Sequence, residues 1–573
     1  MAQSTVPRLA DDTACSDVEV RGPTENLCLM KRSASHDIII IGAGTAGCVL
    51  ANRLSEDPGV RVLLIEAGGS DRGLSISMPA AAALVARDPR FGWGYVTEPE
   101  PFLNGRRIQA RRGRVLGGSS SINGMVANRG NPRDYDTWAS EGLDDWSFAH
   151  CLPYFRKSET FDRGGDAWRG DQGPQFIETC PAQHVYDQAF LRAGKEAGYH
   201  VTDDQNGAHH EGFHVAQSFT RRGQRWSAAS GYLKPALSRT NFSLMAKALV
   251  HRIVFDGRRA VGVDVGVRGE VRRLEALKEV IVAGGAINSP QLLLLSGVGD
   301  PAHLAEHGIP LVADVPHVGH GLEDHLIVQI VHAEERPLSV SHQFRGWRRA
   351  GTGLAWLLAK RGVGRSTLSE TGAFFSSSTD ALYCDMQHEF YPMSGFADAE
   401  EANVAPGFMF SMGLMRPKSR GRVWLTTVDP RHAPAIVFNY LQHDDDADVM
   451  VKALGRTREM VRQPAFDPWR AEELMPGEDV RSDAELRAWL AQTGSSEYHP
   501  CSTCRMGTGD NSVTDHQGRV HDTEALRVVD ASIMPHNVTA NLNAPVLMMA
   551  EKLADAVRGH NPMEPSHASA FRN

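Results

Sequence analysis

The 573-residue chain has no apolar run long enough to cross a bilayer. Its longest, such as Leu292 to Leu295 and Ala80 to Ala86, fall far short of the roughly 20 residues a membrane helix needs. Cysteine is scarce: eight residues (Cys15, Cys28, Cys48, Cys151, Cys180, Cys384, Cys501, Cys504) at irregular spacing argue against a disulfide-built fold and read as reduced thiols of a cytosolic protein. A basic surplus is also missing. The formal charge of -9, with both signs intermixed, offers no stripe for a phosphate backbone and argues against nucleic acid as a partner. Internal repeats and low-complexity tracts are absent. Apolar residues at 42% and charged residues at 23% are ordinary for a globular chain, and the length calls for two domains that can be built from interleaved segments. Residues 1–35 are polar, carry Asp11, Asp12, Asp17 and Glu19, and lack the basic start and apolar run of a signal peptide. They are expected to be a disordered extension, with Met30 a candidate alternative start.

What is present begins with a β-branched run, Asp37 to Ile41, that meets the turn Gly42-Ala43-Gly44-Thr45-Ala46-Gly47, after which Ala46 to Leu54 has helical composition. A second buried strand, Arg61 to Glu66, follows at the spacing of a parallel βαβ unit. The three glycines meet separate steric needs. Gly42 allows the tight turn, Gly44 lets a pyrophosphate approach the backbone, and Gly47 lets helix pack on strand. The helix N-terminus faces the phosphates, and Glu66 at the end of the second strand can accept from an adenosine ribose. Together these predict a dinucleotide cradle. They do not choose between FAD and NAD, which share the same ADP half. Further along, strand-like alternation is expected at Ile253 to Val265 and Val280 to Val282, a helix at Ser289 to Leu295, a strand at Gly421 to Val428, another at Ala525 to Asp530 and a helix at Ala544 to Val557.

The run Gly113-Arg114-Val115-Leu116-Gly117-Gly118-Ser119-Ser120-Ser121-Ile122-Asn123-Gly124 resembles the first signature of the glucose-methanol-choline family of flavin oxidoreductases. Gly285-Ala286-Ile287-Asn288-Ser289-Pro290, followed by Ser296-Gly297-Val298-Gly299, is similar to its second. Val318 to His325, Arg416 to Gly421 and Asn439-Tyr440 resemble further family segments in the correct order. Within the family, Thr97 to Phe102, Asn123 to Met125 and Tyr498-His499-Pro500-Cys501-Ser502-Thr503-Cys504-Arg505-Met506-Gly507 look most like the bacterial choline dehydrogenases.

The resemblance implies an α/β fold: a Rossmann-like FAD-binding domain from residues 36–155, 226–316 and 495–560, and a discontinuous α+β substrate domain on a mostly antiparallel sheet from 156–225 and 317–494. Residues 561–573 remain as a flexible tail. It implies FAD contacts at Gly42, Gly44, Thr45, Ala46, Gly47, Glu66, Ala67, Trp93, Gly118, Ser119, Asn123, Gly124, Met125, Val126, Val250, Asp530, Ala531, Asn543 and Pro545. Relatives that attach flavin covalently have histidine at the position of Ile122, so the flavin here is expected to be non-covalent. Relatives also have glycine where Ser502 stands, a departure within the stretch that carries the expected catalytic histidine. The Cys501/Cys504 pair has CxxC spacing but follows His-Pro rather than opening a helix after a thioredoxin-type strand, and is read as inert thiols. No metal ligands are proposed.

Oxidising an alcohol on a flavin moves a hydride to N5 while the hydroxyl proton leaves to a base. By resemblance the base is His499, with Asn541 as its hydrogen-bonding partner. An alcohol near water's pKa of about 15.7 set against imidazole at about 6.5 leaves a gap of about 12 kcal/mol if the proton moved first. The alkoxide must therefore be stabilised, by Asn541 and a second histidine, His388, or the two transfers must overlap. Choline would further require a site for its trimethylammonium head, for which the resemblance implies Glu370, with Tyr498 as an aromatic wall. The expected activity is oxidation of choline or a choline-like primary alcohol, with electrons passed to a quinone or another non-oxygen carrier. Other primary alcohols (aromatic, glycol or polyether) are the alternative, and a flavin-retaining hydroxynitrile-type lyase a more distant one. A quinone-linked enzyme could sit at the inner face of the membrane, although no sequence signature for that is found.

Overall fold

The computed structural model describes residues 35–395 and 406–568. The expected N-terminal extension, save its last residue, and the end of the expected tail lie outside them. Strand β1 (His36–Ile41), helix α1 (Thr45–Leu54) and strand β2 (Val62–Glu66) form the unit that the glycine turn foretells. Every residue of both strands is buried, as the unbroken apolar runs require of a parallel sheet covered on both faces. β1 pairs in parallel with β2 on one side and with the strand Glu270–Val282 on the other. Phe242–Ala246 extends the sheet beyond β2, and Leu526–Val528 beyond Glu270–Val282. The carboxyl end of β1 is therefore the topological switch point where open α/β sheets take their ligands.

The stretch Ile253 to Val265 is not one element. It is an antiparallel hairpin of Leu249–Asp256 and Arg259–Val267, reversed at Gly257 in the left-handed region (φ +58°). The helix expected at Ser289 starts earlier, spanning Gly285–Leu295 with Pro290 inside it. Proline removes one helical donor, which orphans the carbonyl four residues back. That carbonyl, Ala286 O, accepts from the Thr503 hydroxyl at 2.7 Å, so the helix defect ties down the segment that carries His499.

A second sheet is antiparallel throughout, in the order Arg470–Met475, Leu326–Glu334, Gly407–Leu414, Met386–Tyr391, Thr371–Phe375, Gly212–Val215, with Ser495–Ser496 also pairing with Leu326–Glu334. One face packs Phe375, Phe390, Phe408 and Phe410 with residues of the helices Val185–Glu196 and Asp444–Val461. The opposite face, bearing Ile327, Gln329, Glu389, Tyr391 and Ser411, borders a cavity that reaches the glycine turn. Expectation and structure thus agree on an α/β fold with a Rossmann-like part and a mostly antiparallel sheet. The strand at Gly421 is shorter than expected, ending at Trp424.

Candidate active site

The cavity encloses about 860 Å³ and runs from the glycine turn to His499 and the second sheet. At its dinucleotide end the three glycines differ in what surrounds them. A Cβ on Gly42 (φ +103°) would lie 2.4 Å from Ala283 O, and one on Gly47 1.8 Å from Gly42 O, so both positions are closed by backbone. A Cβ on Gly44 meets nothing nearer than 4.0 Å, leaving open space where a pyrophosphate would lie. Gly118 supports the turn from below: a Cβ there would press on Gly44 Cα at 2.7 Å. Glu66 accepts from Ala43 N at 2.8 Å and Gly68 N at 2.7 Å, and burial raises its pKa to about 6 against those two bonds. Each carboxylate oxygen retains a second lone pair for a ribose hydroxyl. Ile122 lies at the cavity wall, and it offers no nucleophilic atom.

Of the residues assigned to the cofactor, all but Gly47 and Pro545 line this cavity. Gly47 acts through the turn, as its contact with Gly42 requires.

At the far end stands His499, its backbone N–H held by Asp324 Oδ1 at 2.6 Å. Asp324 also accepts from Ser496 Oγ at 2.5 Å and from the Tyr440 hydroxyl. The imidazole is fixed on both nitrogens: Nδ1 lies 3.1 Å from His325 Nδ1, and Nε2 lies 3.4 Å from Asn541 Nδ2. The Asn541 amide has one consistent orientation. Its Oδ1 accepts from Asn128 Nδ2 at 2.8 Å and from Gln387 Nε2 at 3.1 Å, and its Nδ2 donates to Glu389 Oε1 at 3.1 Å. A donor therefore faces His499 Nε2, which assigns the lone pair to Nε2 and the proton to Nδ1, donated to His325. Burial holds the His499 pKa well below 6.5, and His325 and Arg112 push it the same way. His499 is a neutral imidazole with its basic nitrogen beside the Asn541 amide.

Two carboxylates complete this end. Glu389 accepts from the Tyr391 hydroxyl at 2.7 Å, and burial raises its pKa. Glu497, two residues before His499, is raised much further by burial and then by the charge of Glu389. Its Oε2 is buried with no hydrogen-bond partner, 3.7 Å from His499 Nδ1 and 3.8 Å from His325 Nδ1. The three ligand-type atoms lie within 4.8 Å of one another, a grouping that could hold a cation and that no sequence motif announces.

Two candidates are not brought to the cavity. His388 points to the opposite face of its strand, packed on Phe190, Phe375 and Phe410, with Nε2 on Thr457 Oγ1 at 2.9 Å and its pKa lowered by burial to about 3. Alternation along Met386–Tyr391 puts Met386, His388 and Phe390 in the core and Gln387, Glu389 and Tyr391 opposite, so the side chains delivered to Asn541 are Gln387 and Glu389, on either side of His388. Glu370 does not line the cavity either: its Oε2 accepts from Ala182 N at 2.8 Å. Tyr498 does line it, with Arg111 5.6 Å above its ring. Cys501 and Cys504 are free, fully buried thiols with pKa values driven well above the usual range, first by burial. Ser502 holds φ +71°, a left-handed conformation that glycine adopts freely and serine does not.

Residues 36–327 match the N-terminal part of the family described as GMC oxidoreductase, and residues 417–550 its C-terminal part. The oxygen-dependent choline dehydrogenase of Chromohalobacter salexigens is 45% identical over 539 residues, covering 93% of this chain and 97% of that protein. The protein of the same name from Pseudomonas syringae pv. tomato is 45% identical over 549 residues, covering 95% and 97%. Among solved structures, pyridoxine 4-oxidase from Mesorbium loti superposes with a TM-score of 0.83 at 30% identity, covering 92% of this chain and 100% of that one. An Aspergillus oryzae RIB40 formate oxidase variant superposes with a TM-score of 0.86 at 25% identity, covering 92% and 99%.

Proposed function

The chain belongs to the GMC oxidoreductase family, and from that premise, which makes it an FAD-dependent alcohol-oxidising enzyme, we propose that its substrate is choline or a choline-like cationic primary alcohol. The observation that carries the proposal is a partly buried carboxylate pair, Glu389 and Glu497, lining the same cavity as His499 and Asn541. Burial raises both pKa values and the charge of Glu389 raises that of Glu497 further, so we take the two to share one negative charge. A cation with no hydrogen-bond donors is recognised by charge and by aromatic faces, which Glu389, Glu497, Tyr391 and Tyr498 supply together. This replaces Glu370 in that role.

Bound FAD supplies the hydride acceptor. The glycine turn and Glu66 would hold its ADP half, and Ile122, which has no nucleophilic atom to bond the flavin, supports a non-covalent attachment. His499 Nε2 accepts the hydroxyl proton as the carbon is oxidised, while Asn541 Nδ2 donates toward the oxygen as negative charge grows there. Asp324 and Thr503 are positioning residues. They hold the His499 segment through its backbone N–H and through Ala286 O. As the electron acceptor we propose a quinone or another non-oxygen carrier, against the oxygen in the relatives' name. Aerobic turnover with and without a soluble quinone analogue tests the acceptor: quinone should raise the rate, whereas full activity on oxygen alone would refute it. Anaerobic addition of choline, benzylic alcohols, glycols and sugars tests the substrate. Choline should bleach the flavin fastest, and a stronger response to a neutral alcohol would overturn the choline assignment.

A further inference from the structure

Between Glu335 and Glu370 the sequence has no acidic residue, although the whole chain is net acidic at -9. This stretch holds the helix Gly346–Ala359. The helix is fastened inward by one large side chain, Trp356, which is 2% exposed and donates its Nε1–H to Gly223 O at 2.8 Å. Its other large apolar side chains face solvent: Trp347 is 81% exposed, Leu354 55%, Leu357 45% and Leu358 76%. Residues 347, 354 and 358 follow helical spacing, so they share a face. Flanking them are Arg345, Arg348, Arg349, Lys360, Arg361 and Arg365, none of which pairs with a carboxylate among the described residues.

An exposed apolar stripe with a basic surround is costly in water and suits an interface that is apolar inside and anionic outside. The geometry points to the anionic surface of a lipid bilayer as the partner of this helix, with Trp347, Leu354 and Leu358 entering the headgroup layer and the six basic side chains meeting lipid phosphates. Among the described residues no helix is long and apolar enough to cross a membrane, so the contact is one of lying on the surface. Its place in the fold gives it a consequence. Phe344 just before the helix and Val363 just after it pack against the small core of Val340, Leu368 and Met393, as Tyr391 does, and Leu368 and Tyr391 also line the cavity. The lipid-facing helix thus adjoins the cavity wall, and an acceptor dissolved in the bilayer would arrive beside the site. The docking does not depend on which alcohol is oxidised.

The test is flotation of the FAD-loaded full chain with vesicles of phosphatidylcholine alone or with about one-third phosphatidylglycerol. The expected result is binding to the mixed vesicles, little to the neutral ones, and loss in high salt. Arg348→Glu/Arg349→Glu should weaken binding to the mixed vesicles about 10-fold or more. Trp347→Glu/Leu358→Glu should do the same while anaerobic flavin bleaching by the enzyme's alcohol substrate keeps its wild-type rate, which separates loss of docking from loss of fold. Equal binding to both vesicle types, or variants that bind like wild type, would overturn the proposal. So would a dimer in light scattering that Trp347→Glu dissolves in the absence of vesicle binding, which would make a second copy the occupant.

Discussion

Replacing Glu389 and Glu497 by glutamine, singly and together, tests how the cavity recognises its substrate. On the proposed reading the two carboxylates share one negative charge: burial raises both pKa values, and the charge of Glu389 raises that of Glu497 further. Removing Glu389 relieves Glu497 of its repulsion, and removing Glu497 leaves Glu389 in place, so each single variant is expected to keep a charge beside the cation. The double variant loses it. A trimethylammonium nitrogen about 5 Å from that charge gains about 3 kcal/mol at an effective dielectric of about 20, or about 100-fold in Kd. Each single variant should therefore weaken choline by less than about 5-fold, and the double by about 100-fold. Glutamine at 389 keeps an oxygen for the Asn541 Nδ2 bond, which preserves the geometry at His499. The assay is anaerobic stopped-flow flavin reduction, with Kd taken from the concentration dependence. Choline is compared with 3,3-dimethyl-1-butanol, which puts carbon in place of the nitrogen. The neutral alcohol should hold within about 3-fold across the series. A double variant equal to the product of the singles, or an equal loss for both alcohols, would refute the shared charge.

Further outcomes follow from the same geometry. The base must be neutral, and burial, His325 and Arg112 lower the His499 pKa, so flavin reduction should fall only as pH drops well below 6.5; Arg112→Met should move that acid limb upward in a pH–rate profile. Gly44→Val should fold but lose FAD, because its Cβ meets only open space, whereas Gly47→Ala should lose fold and FAD together, as circular dichroism and flavin absorbance will show. Ser502→Gly relieves a left-handed serine at the cost of some chain entropy and should stabilise the protein by about 0.5–1 kcal/mol in denaturant titration.

Much of the fold could be read from the chain because its signals are local. An unbroken β-branched run, three glycines with separate steric duties and an acid at the end of the next strand define the βαβ unit within about 30 residues. Signals that depend on partners were harder. Pro290 argues for a later helix start, but Thr503, far along the chain, satisfies the carbonyl it frees. His388 and Glu389 illustrate strand register: a one-residue difference decides core or cavity, and the alternation of Met386, His388 and Phe390 against Gln387, Glu389 and Tyr391 was legible in the sequence. Glu370 was assigned by position in a family string, and position does not reveal that Ala182 N binds its carboxylate. Glu497 adjoins Tyr498-His499 in sequence, yet only the folded cavity shows its oxygen unpartnered. The glycine that relatives carry at 502 has its physical reason in the φ of +71° found there.

Everything proposed for the catalytic end rests on His499 taking the alcohol's proton as the flavin is reduced. Anaerobic stopped-flow absorbance of wild type and His499→Ala, mixed with saturating choline, tests this most directly. Wild type should bleach, and the variant, with FAD still bound, should bleach about 10²-fold slower or worse. A flavin that stays oxidised in wild type, or a variant that bleaches at the wild-type rate, would contradict it.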